Sequence, residues 1–468
     1  MTGIGRGECP VLLIFHYNPK QSDTLFKSKK PLLYLNTHNY NHMPDIKLRI
    51  KDILFKLQKR LHIDTLYLAR GGFWISSSFI LTSILSLVQV VIFANFLPKE
   101  SYGVYKYILS LASIFSFLTL TGMNEAVTQA AARSGSTGIL KHAVKTQLKW
   151  NFLFTIVMTG LAGYYFLNQN ILFAKSLFVL GLAFPLNTTF NTYGAFLVGR
   201  KDFRRASIYG TITPAVQLIA LAIGALITQD IFTLVIIYAI ASFLPNLIFC
   251  LQTIKLYGPE SISQKEEGEL ILYSKHLSFM HILSSIAQYV DKLVIFHYIG
   301  AIQLAVYSLA LAIPERARGF IKNLSMMMTP KLSEKTVKDI HKSFYKRIFQ
   351  GMLIGAVMSA GYILLAPFFY RIFLPAYLEA IAYSQIFSLT LIFVLPSNYL
   401  GNIFNAHKML RPMYFSSLTA SILKILLYIV LGKLFGIWGV IASLLIVYIV
   451  NTIYNCYLWE MEVRRQSI

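Results

Sequence analysis

Residues 281–328 read HILSSIAQYVDKLVIFHYIGAIQLAVYSLALAIPERARGFIKNLSMMM. This stretch contains two apolar segments of membrane-spanning length, yet they carry five charges, at Asp291, Lys292, Glu315, Arg316 and Arg318. A charge at the centre of the hydrocarbon layer costs about 2.5–3.5 kcal/mol even on lenient insertion scales. Such side chains need a polar interior, so the stretch predicts a transport path inside a helix bundle and not a lipid-facing anchor.

The composition is that of an integral membrane protein. Of the 468 residues, 56% are hydrophobic and only 13% are charged, against about 25% charged in soluble proteins. The net charge of +23 would suggest a nucleic-acid partner in a soluble protein, but here most basic residues lie between apolar segments. The three cysteines are scattered, and we find no pattern for a metal, a cofactor, a nucleotide loop or a catalytic triad.

Apolar windows follow one another closely from Phe73 onward. Each is about 18–25 residues long, enough to cross a hydrocarbon core of about 30 Å. We therefore predict an all-α polytopic membrane protein with about twelve transmembrane helices in two pseudo-symmetric six-helix bundles around a central cavity. The predicted spans are 73–97, 104–122, 150–167, 173–197, 208–228, 231–254, 276–298, 302–322, 348–366, 380–406, 413–431 and 436–458.

The same pattern divides the chain into six segments. Residues 1–44 are predicted to be a disordered or non-native extension, with Met1 and Met43 both open as the biological start. Residues 45–72 form a basic amphipathic cytoplasmic segment. The others are a bundle over 73–255, a cytoplasmic linker over 256–275, a bundle over 276–459 and a cytoplasmic tail over 460–468.

The distribution of basic residues predicts the orientation. Four of the 43 Lys and Arg residues fall in the outer loops or at the outer ends of spans, namely Lys99, Lys175, Arg371 and Lys433. Five lie within spans, at Lys106, Lys292, Arg316, Arg318 and Lys424, and all others lie in inner segments. Positive charge favours the cytoplasmic side, so both termini are expected to lie inside a cytoplasmic (inner) membrane.

Sparse internal repetition supports two halves of the same orientation. A shift of 202 positions places Phe96, Val104 and Tyr105 on Tyr298, Val306 and Tyr307, and a shift near 207 places Gly194, Lys201 and Arg204 on Gly401, Lys408 and Arg411. Such halves are related by an axis along the membrane normal, and transporters hold substrate between them.

Helix-breaking and helix-packing residues also lie inside the spans. Prolines leave the carbonyl four residues earlier without its helical donor, at Pro185, Pro214, Pro245, Pro314 and Pro396. The pair Gly351 and Gly355 has the spacing of a close helix-packing motif.

Two stretches resemble a known family. The first holds Gly71, Gly72, Ala94, Asn95, Leu97, Pro98, Glu100, Tyr102, Gly103, Gly122 and Asn124; the second, YVDKLVIFHYIGAIQLAVYSLALAI over 289–313, holds Asp291, Gly300 and Tyr307. Together they resemble the oligosaccharide (polysaccharide) flippases of the multidrug/oligosaccharidyl-lipid/polysaccharide exporter superfamily, over residues 67–459. Asn95 stands where many relatives carry arginine.

The resemblance implies two helix bundles flanking a cavity that opens alternately to each side. It also implies a lipid-diphosphate-linked oligosaccharide as substrate, membrane lipid as partner and a coupling cation, H⁺ or Na⁺, as a candidate driving force. The predicted function is therefore translocation of such a glycan for cell-surface polysaccharide assembly, without catalysis.

Nine residues are candidates for the site. The substrate-binding candidates are basic: Lys424, Arg316, Arg318, Lys292 and Lys106. The ion-coupling or gating candidates are Asp291, Glu315, Asn124 and Glu125.

Each candidate has a structural alternative. Arg316 and Arg318 point about 200° apart on a helix, and both could instead cap the span beside Lys322 at the headgroups. Asp291 needs a partner from another element, which could be purely structural. For Glu315, the free energy of a carboxylate inside the membrane is lowest when it is paired with a basic neighbour. Lys424 has no acid nearby in sequence, which favours an anion ligand over a distant ion pair.

The remaining candidates are also ambiguous. Lys106 could extend outward to the headgroups. Asn124 and Glu125 could shape a gate or simply cap a helix end.

Two other functions remain open at this point. A cation-coupled multidrug antiporter of the same superfamily would favour an acidic cavity, whereas the embedded ionisable residues are mainly basic. A membrane glycan polymerase or ligase would need a sizeable outer loop, and the longest outer connection is about a dozen residues between Pro367 and Glu379.

Overall fold

The computed structural model describes residues 65–134, 136–258, 262–326, 328 and 332–466. These residues form an all-helical protein. The predictions for residues 1–44, for the start at Met1 or Met43, and for most of segment 45–72 lie outside the described residues.

The N-terminal lobe contains eight helices. They are α1 (Thr65–Phe96), α2 (Lys99–Ile114, continued by the 3₁₀ turn Phe115–Thr119), α3 (Met123–Ser134), α4 (Gly138–Leu167), α5 (Ile171–Phe190), α6 (Thr192–Gly199), α7 (Phe203–Ile227) and α8 (Ile231–Tyr257).

The C-terminal lobe contains six more. They are α9 (Gln264–Tyr298), α10 (Ala301–Met326), α11 (Val337–Phe373), α12 (Ala380–Ser388), α13 (Leu391–Ala406) and α14 (Leu410–Gln466). A 3₁₀ turn, Pro375–Tyr377, precedes α12. Gly436 has non-helical angles (φ 60°, ψ −137°) inside α14, which divides it into α14a (410–435) and α14b (437–466).

These helices make twelve crossings, as the apolar windows predict. Nine described helices, counting continuous pairs as one, are long and apolar enough to span a membrane, and a tenth crossing is the pair Lys99–Thr119 and Met123–Arg133, bent by 46°. The elbow at Gly436 splits the longest helix into two crossings. The twelfth crossing is α10, whose charges exclude it from a selection based on apolarity alone.

Several helices extend beyond the predicted spans. α1 begins at Thr65, and α9 begins at Gln264, inside the segment predicted to be a linker. The long connection expected after the second span is largely helical, because it contains α3 and the first turns of α4. Hydropathy misses these turns because they lie outside the hydrocarbon layer, where polar residues are tolerated.

The two ends of the bundle differ. The short-loop end contains the turns at residues 97–98, 168–170, 228–230, 299–300 and 374–379. The long-loop end contains the connections at 120–122, 200–202, 258–263, 327–336 and 407–409.

The apolar core joins the lobes at one end only. Near the short-loop end, one buried cluster contains residues of both lobes, including Tyr102 and Tyr105 with Leu304 and Tyr370. Nearer the long-loop end, the buried side chains separate into an N-terminal cluster, which includes Leu270 of α9, and C-terminal clusters. The lobes are therefore sealed together at the short-loop end.

Two polar contacts add to this seal. The Asn95 amide donates to the Phe373 carbonyl at 2.8 Å, and the Lys99 ammonium lies 2.9 Å from the Glu379 carboxylate. A side chain at Gly103 would overlap the backbone carbonyl of Ala301, so α2 and the start of α10 touch backbone to backbone.

Backbone conformation confirms the internal repeat. Lys201 and Lys408, which the shift of 207 superimposes, both have positive φ, 65° and 53°. Positive φ is uncommon in a residue that carries a Cβ atom. Each follows a crossing that is broken in two, α5–α6 in one lobe and α12–α13 in the other. The two lobes thus repeat the same helix breaks as well as the same residue types.

Proline and glycine act in packing, as their positions predict. Pro185 lacks the N–H that would bond to Gly181, and the Thr155 hydroxyl on α4 donates to that carbonyl instead, at 2.9 Å. A side chain at Gly355 would strike the backbone of Leu391 on α13. Both devices hold neighbouring helices within one lobe together.

Candidate functional site

A cavity lies between the two lobes, close to the middle of the bundle. Its volume is about 120 Å³, less than the roughly 300–1,000 Å³ that is usual for a whole small-molecule site. We call it the interlobe cavity; helices α1, α2, α9 and α10 line it, through Ser86, Leu87, Val90, Lys106, Lys292, Ser308, Leu311, Ala312, Glu315 and Arg316.

The basic side chains of the interlobe cavity lack acidic partners. Among the described residues, no ion pair joins Lys106, Lys292 or Arg316 to a carboxylate. The ammonium groups of Lys106 and Lys292 lie over the rings of Tyr102 and Tyr289, at 5.3 and 5.1 Å from the ring centres. Aromatic faces stabilise cations without neutralising them. The cavity is therefore an electropositive space ready for an anion.

The two lysines occupy different positions in the repeat. The shift of 202 places Lys292 on Val90 and Lys106 on Ser308, and all four residues line the interlobe cavity. Each lobe thus contributes one ammonium group. Lys106 lies on α2, the second helix of the N-terminal lobe, and Lys292 lies on α9, the first helix of the C-terminal lobe. The Ser308 hydroxyl oxygen is buried with no hydrogen-bond partner among the described residues.

Arg316 and Arg318 diverge, as their spacing on a helix predicts. The Arg316 guanidinium donates to the Ser86 hydroxyl of α1 and faces the interlobe cavity. Arg318 points into the C-terminal lobe, where it donates to the Tyr448 hydroxyl of α14b and lies 5.6 Å from the Phe387 ring. Of the two arginines, only Arg316 lines the interlobe cavity together with Lys106 and Lys292.

Arg318 borders a second cavity, within the C-terminal lobe. We call it the lobe cavity; its volume is about 280 Å³, and its lining is Gln288, Glu315, Arg318, Gly319, Lys322, Val394, Ser397, Asn398 and Tyr448. Glu315 lines both cavities. Among the described residues, Glu315 makes no ion pair, in contrast to the neighbour-paired state expected from the sequence.

The cavities exist because α9 and α10 separate towards the long-loop end. The start of α9 is held by the N-terminal lobe, through His142 and Glu267 at 3.2 Å and through Lys275 over the Trp150 ring. The end of α10 is held by the C-terminal lobe, where the Asn402 amide donates to the Ser325 carbonyl at 2.6 Å. Two helices joined at Gly300 thus diverge around a polar space.

Asp291 has the partner from another element that its position requires. Its Oδ2 accepts a 2.7 Å hydrogen bond from the Tyr307 hydroxyl of α10, while Oδ1 is buried without a partner among the described residues. The Lys424 ammonium lies 5.3 Å from the Tyr428 ring and interacts electrostatically with Asp291, Arg318 and Glu315. Lys424 lines neither of the two cavities, and among the described residues it makes no ion pair with a carboxylate.

Asn124 and Glu125 lie apart from the cavities. Both are exposed in the first turn of α3 at the long-loop end. A carboxylate in the first turn favours the helix dipole, which supports the capping interpretation. A gating role for these two residues stays a prediction.

Sequence reasoning missed the neutral polar residues of the site. Ser86, Ser308, Gln288, Asn398 and Tyr448 line the cavities but carry no charge that marks them in an apolar span. For Gln288, the signal was its position one helical turn before Lys292, because residues four apart share a helix face.

Comparisons with known proteins agree with this architecture. The fold is similar to that of a multidrug resistance MATE family transporter of the MOP superfamily in its inward-facing conformation, with 17% identity, a TM-score of 0.67 and coverage of 82% of this chain and 95% of that one. It is also similar to the lipid II flippase MurJ in an inward closed conformation, with 16% identity, a TM-score of 0.61 and coverage of 82% and 87%.

A third neighbour is a MOP superfamily transporter from Pyrococcus furiosus whose binding pocket is described as having reverse polarity. It has 16% identity, a TM-score of 0.54 and coverage of 84% of this chain and 95% of that one. At these identities the likeness concerns the fold.

The family follows from the sequence match. No curated protein matches the chain. The family model for polysaccharide biosynthesis proteins matches residues 68–334, more than half of the chain, including the whole interlobe cavity. The chain is therefore a multi-pass membrane protein that belongs to the polysaccharide biosynthesis protein family.

Proposed function

We propose that the protein is a flippase that moves a lipid-diphosphate-linked oligosaccharide across the cytoplasmic membrane for the assembly of cell-surface polysaccharide. The observation that carries the proposal is the interlobe cavity, where Lys106, Lys292 and Arg316 converge without acidic partners. Family membership supports a glycan substrate, and the fold supports transport.

The chemistry of a diphosphate fits this cavity. Lys106 and Lys292 are half-buried and Arg316 is exposed to the cavity, so all three cations are open to an anion that enters it. Guanidinium and ammonium groups form short, strong hydrogen bonds to phosphate oxygens. Arg316 offers a planar fork for two oxygens, while each lysine acts as a compact charge.

The orientation rests on charge. Basic residues concentrate at the long-loop end, which the positive-inside rule assigns to the cytoplasm, and both termini are then cytoplasmic. The sealed short-loop end faces outward, so this conformation would receive substrate from the inner leaflet. Transport by alternating access would then open the short-loop end.

The acidic residues have a proposed role in coupling. Asp291 has a buried, unpartnered oxygen, and Glu315 stands between the two cavities. Either carboxylate could bind H⁺ or Na⁺ and so alter the charge around the substrate. We assign coupling to Asp291 and Glu315, and the neutralisation of phosphate to the basic residues.

The interlobe charge argues against a multidrug antiporter. An organic cation would meet three positive side chains and only Glu315 in opposition. The Pyrococcus furiosus neighbour, whose pocket is described as having reverse polarity, shows that this fold accommodates pockets of different charge.

Reconstitution tests the proposal. Purified protein in liposomes should move a fluorescent polyprenyl-diphosphate-linked sugar between leaflets, and the double variant K106Q/K292Q should lower that rate at least tenfold. K433Q, which removes an exposed lysine at the end of α14a, is the matched control and should leave the rate unchanged. An undiminished rate in the double variant would refute the assignment.

A further inference from the structure

We propose that the lobe cavity binds the sugar residues adjacent to the diphosphate, so that one ligand occupies both cavities at once. The inference rests on the proposed function and deepens it, because it assigns the two chemical parts of the substrate to two different places. The first part, the diphosphate, occupies the interlobe cavity; the second, the glycan, occupies the lobe cavity.

The linings of the two cavities differ in chemistry. The interlobe cavity has three unpaired cations, whereas the lobe cavity offers amides and hydroxyls from Gln288, Asn398, Ser397 and Tyr448. An amide presents both donors and acceptors, and so does a hydroxyl. Sugar hydroxyls also donate and accept, so these four neutral groups match a glycan better than a phosphate.

The lobe cavity also contains two basic residues, Arg318 and Lys322. The Arg318 guanidinium already donates to the Tyr448 hydroxyl and lies 4.9 Å from the centre of that ring. Lys322 lies one helical turn further towards the long-loop end. Apart from these two cations and Glu315, the polar lining of the lobe cavity is neutral.

Asn398 supplies an independent indication of a ligand. Its Nδ2 atom is buried and has no hydrogen-bond partner among the described residues. Its neighbour Ser397 is held by the Thr452 hydroxyl of α14b at 3.1 Å. Buried donors are nearly always satisfied in native proteins, and a sugar oxygen in the lobe cavity, which Asn398 lines, is one acceptor that would complete this amide.

The two cavities are placed for a single, covalently continuous ligand. Glu315 lines both of them. Gln288 and Lys292 lie four residues apart on α9, hence on one face, and each lines a different cavity. A sugar attached directly to a diphosphate would pass this shared wall, with Glu315 able to accept hydrogen bonds from its hydroxyls.

Binding to two probes tests the inference. The full chain in lipid nanodiscs is titrated with polyprenyl diphosphate, which has no sugar, and with the polyprenyl-diphosphate oligosaccharide pool extracted from the source cells. N398L should weaken binding of the glycosylated pool about tenfold, the effect of about one hydrogen bond lost in a buried site. It should change binding of the bare diphosphate less than twofold.

S308A is the matched control, because it also removes one unpartnered buried polar atom but in the interlobe cavity. It should weaken both probes by the same factor. Q288L repeats the lobe-cavity test independently of N398L, and thermal unfolding identifies any variant that fails to fold.

The outcomes are distinct. If the lobe-cavity variants weaken both probes equally, or neither, the glycan subsite is refuted while the flippase proposal stands. Equal affinity of the unaltered protein for both probes would also refute the subsite. If the unaltered protein binds neither probe, the proposed function itself fails.

Discussion

The hydroxyl group of Tyr307 on α10 donates a 2.7 Å hydrogen bond to Oδ2 of Asp291 on α9. Both side chains are buried, at 0% and 4% exposure, so this bond is the only described donor for a carboxylate in the interior of the bundle. The repeat sets Tyr105 in the equivalent position of the N-terminal lobe, where the hydroxyl is buried with no described partner.

Loss of the Tyr307 hydroxyl should therefore be destabilising. Y307F leaves the Asp291 carboxylate without its donor, which costs about 1–3 kcal/mol for a buried polar group. Thermal unfolding in detergent should show a lowered midpoint. Y105F, the matched control, removes a hydroxyl that has no partner, so it should be neutral or slightly stabilising. Equal losses in both variants would contradict the role of the bond.

The contact between Gly103 and Ala301 should tolerate no side chain. G103A would place a methyl group against the Ala301 carbonyl and force the lobes apart at the short-loop end. We expect a lower unfolding temperature and increased labelling of cysteines introduced at that end. Gly160 on α4 has open space around it, so G160A should be tolerated. A fully stable, unlabelled G103A protein would show that the lobes do not meet there.

Lys424 offers a test between its two interpretations. If it compensates Asp291, K424A should destabilise the protein, and adding D291N should restore much of that stability because both charges are then absent. If Lys424 instead binds the substrate anion, K424A should abolish export while protein abundance is kept, and D291N should not restore it. Unfolding midpoints and transport rates of the single and double variants separate the two cases.

Asp202 should make stability sensitive to acid. This residue lies in the connection before α7, outside the spans, and partial burial raises the pKa of its carboxyl. Hydrogen bonds from the Arg205 backbone, the Tyr257 hydroxyl and the Arg205 guanidinium outweigh burial and hold that pKa below its ordinary value of 3.8. Because the folded-state pKa is depressed, the stabilisation is present above pH 3.8 and disappears as pH falls through the lower, folded-state value.

The variant D202N checks this pH dependence. It should be less stable than the unaltered protein near neutral pH, and the difference should shrink on acidification below pH 3.8. A difference that is constant across this range would show that the carboxylate charge contributes nothing. Thermal unfolding at a series of pH values provides the measurement.

Hydropathy and spacing were sufficient to predict the overall architecture. The twelve crossings follow from apolar length, and the repeat deduced from Lys201 and Lys408 reappears as two positive φ angles. The divergence of Arg316 and Arg318 follows from helix geometry alone. These features depend on local spacing, which a sequence contains directly.

The surroundings of single residues could not be predicted in the same way. In a membrane protein, lipid and protein interior are both apolar, so an apolar span does not reveal which face looks inward. The position of Lys424 outside both described cavities depends on helix rotation. The elbow at Gly436 was equally hidden, because the sequence around it suggested an ordinary short loop between two spans.

The two cavity lysines lie on different lobes, so the distance between their ammonium groups depends on how the lobes are arranged. Lys106 belongs to one lobe and Lys292 to the other, so any swing that parts the lobes draws these charges away from each other. Coulomb attraction to an anion held between them weakens with distance. If an anion binds between these lysines as proposed, widening of the gap would weaken its binding without any further change in the site.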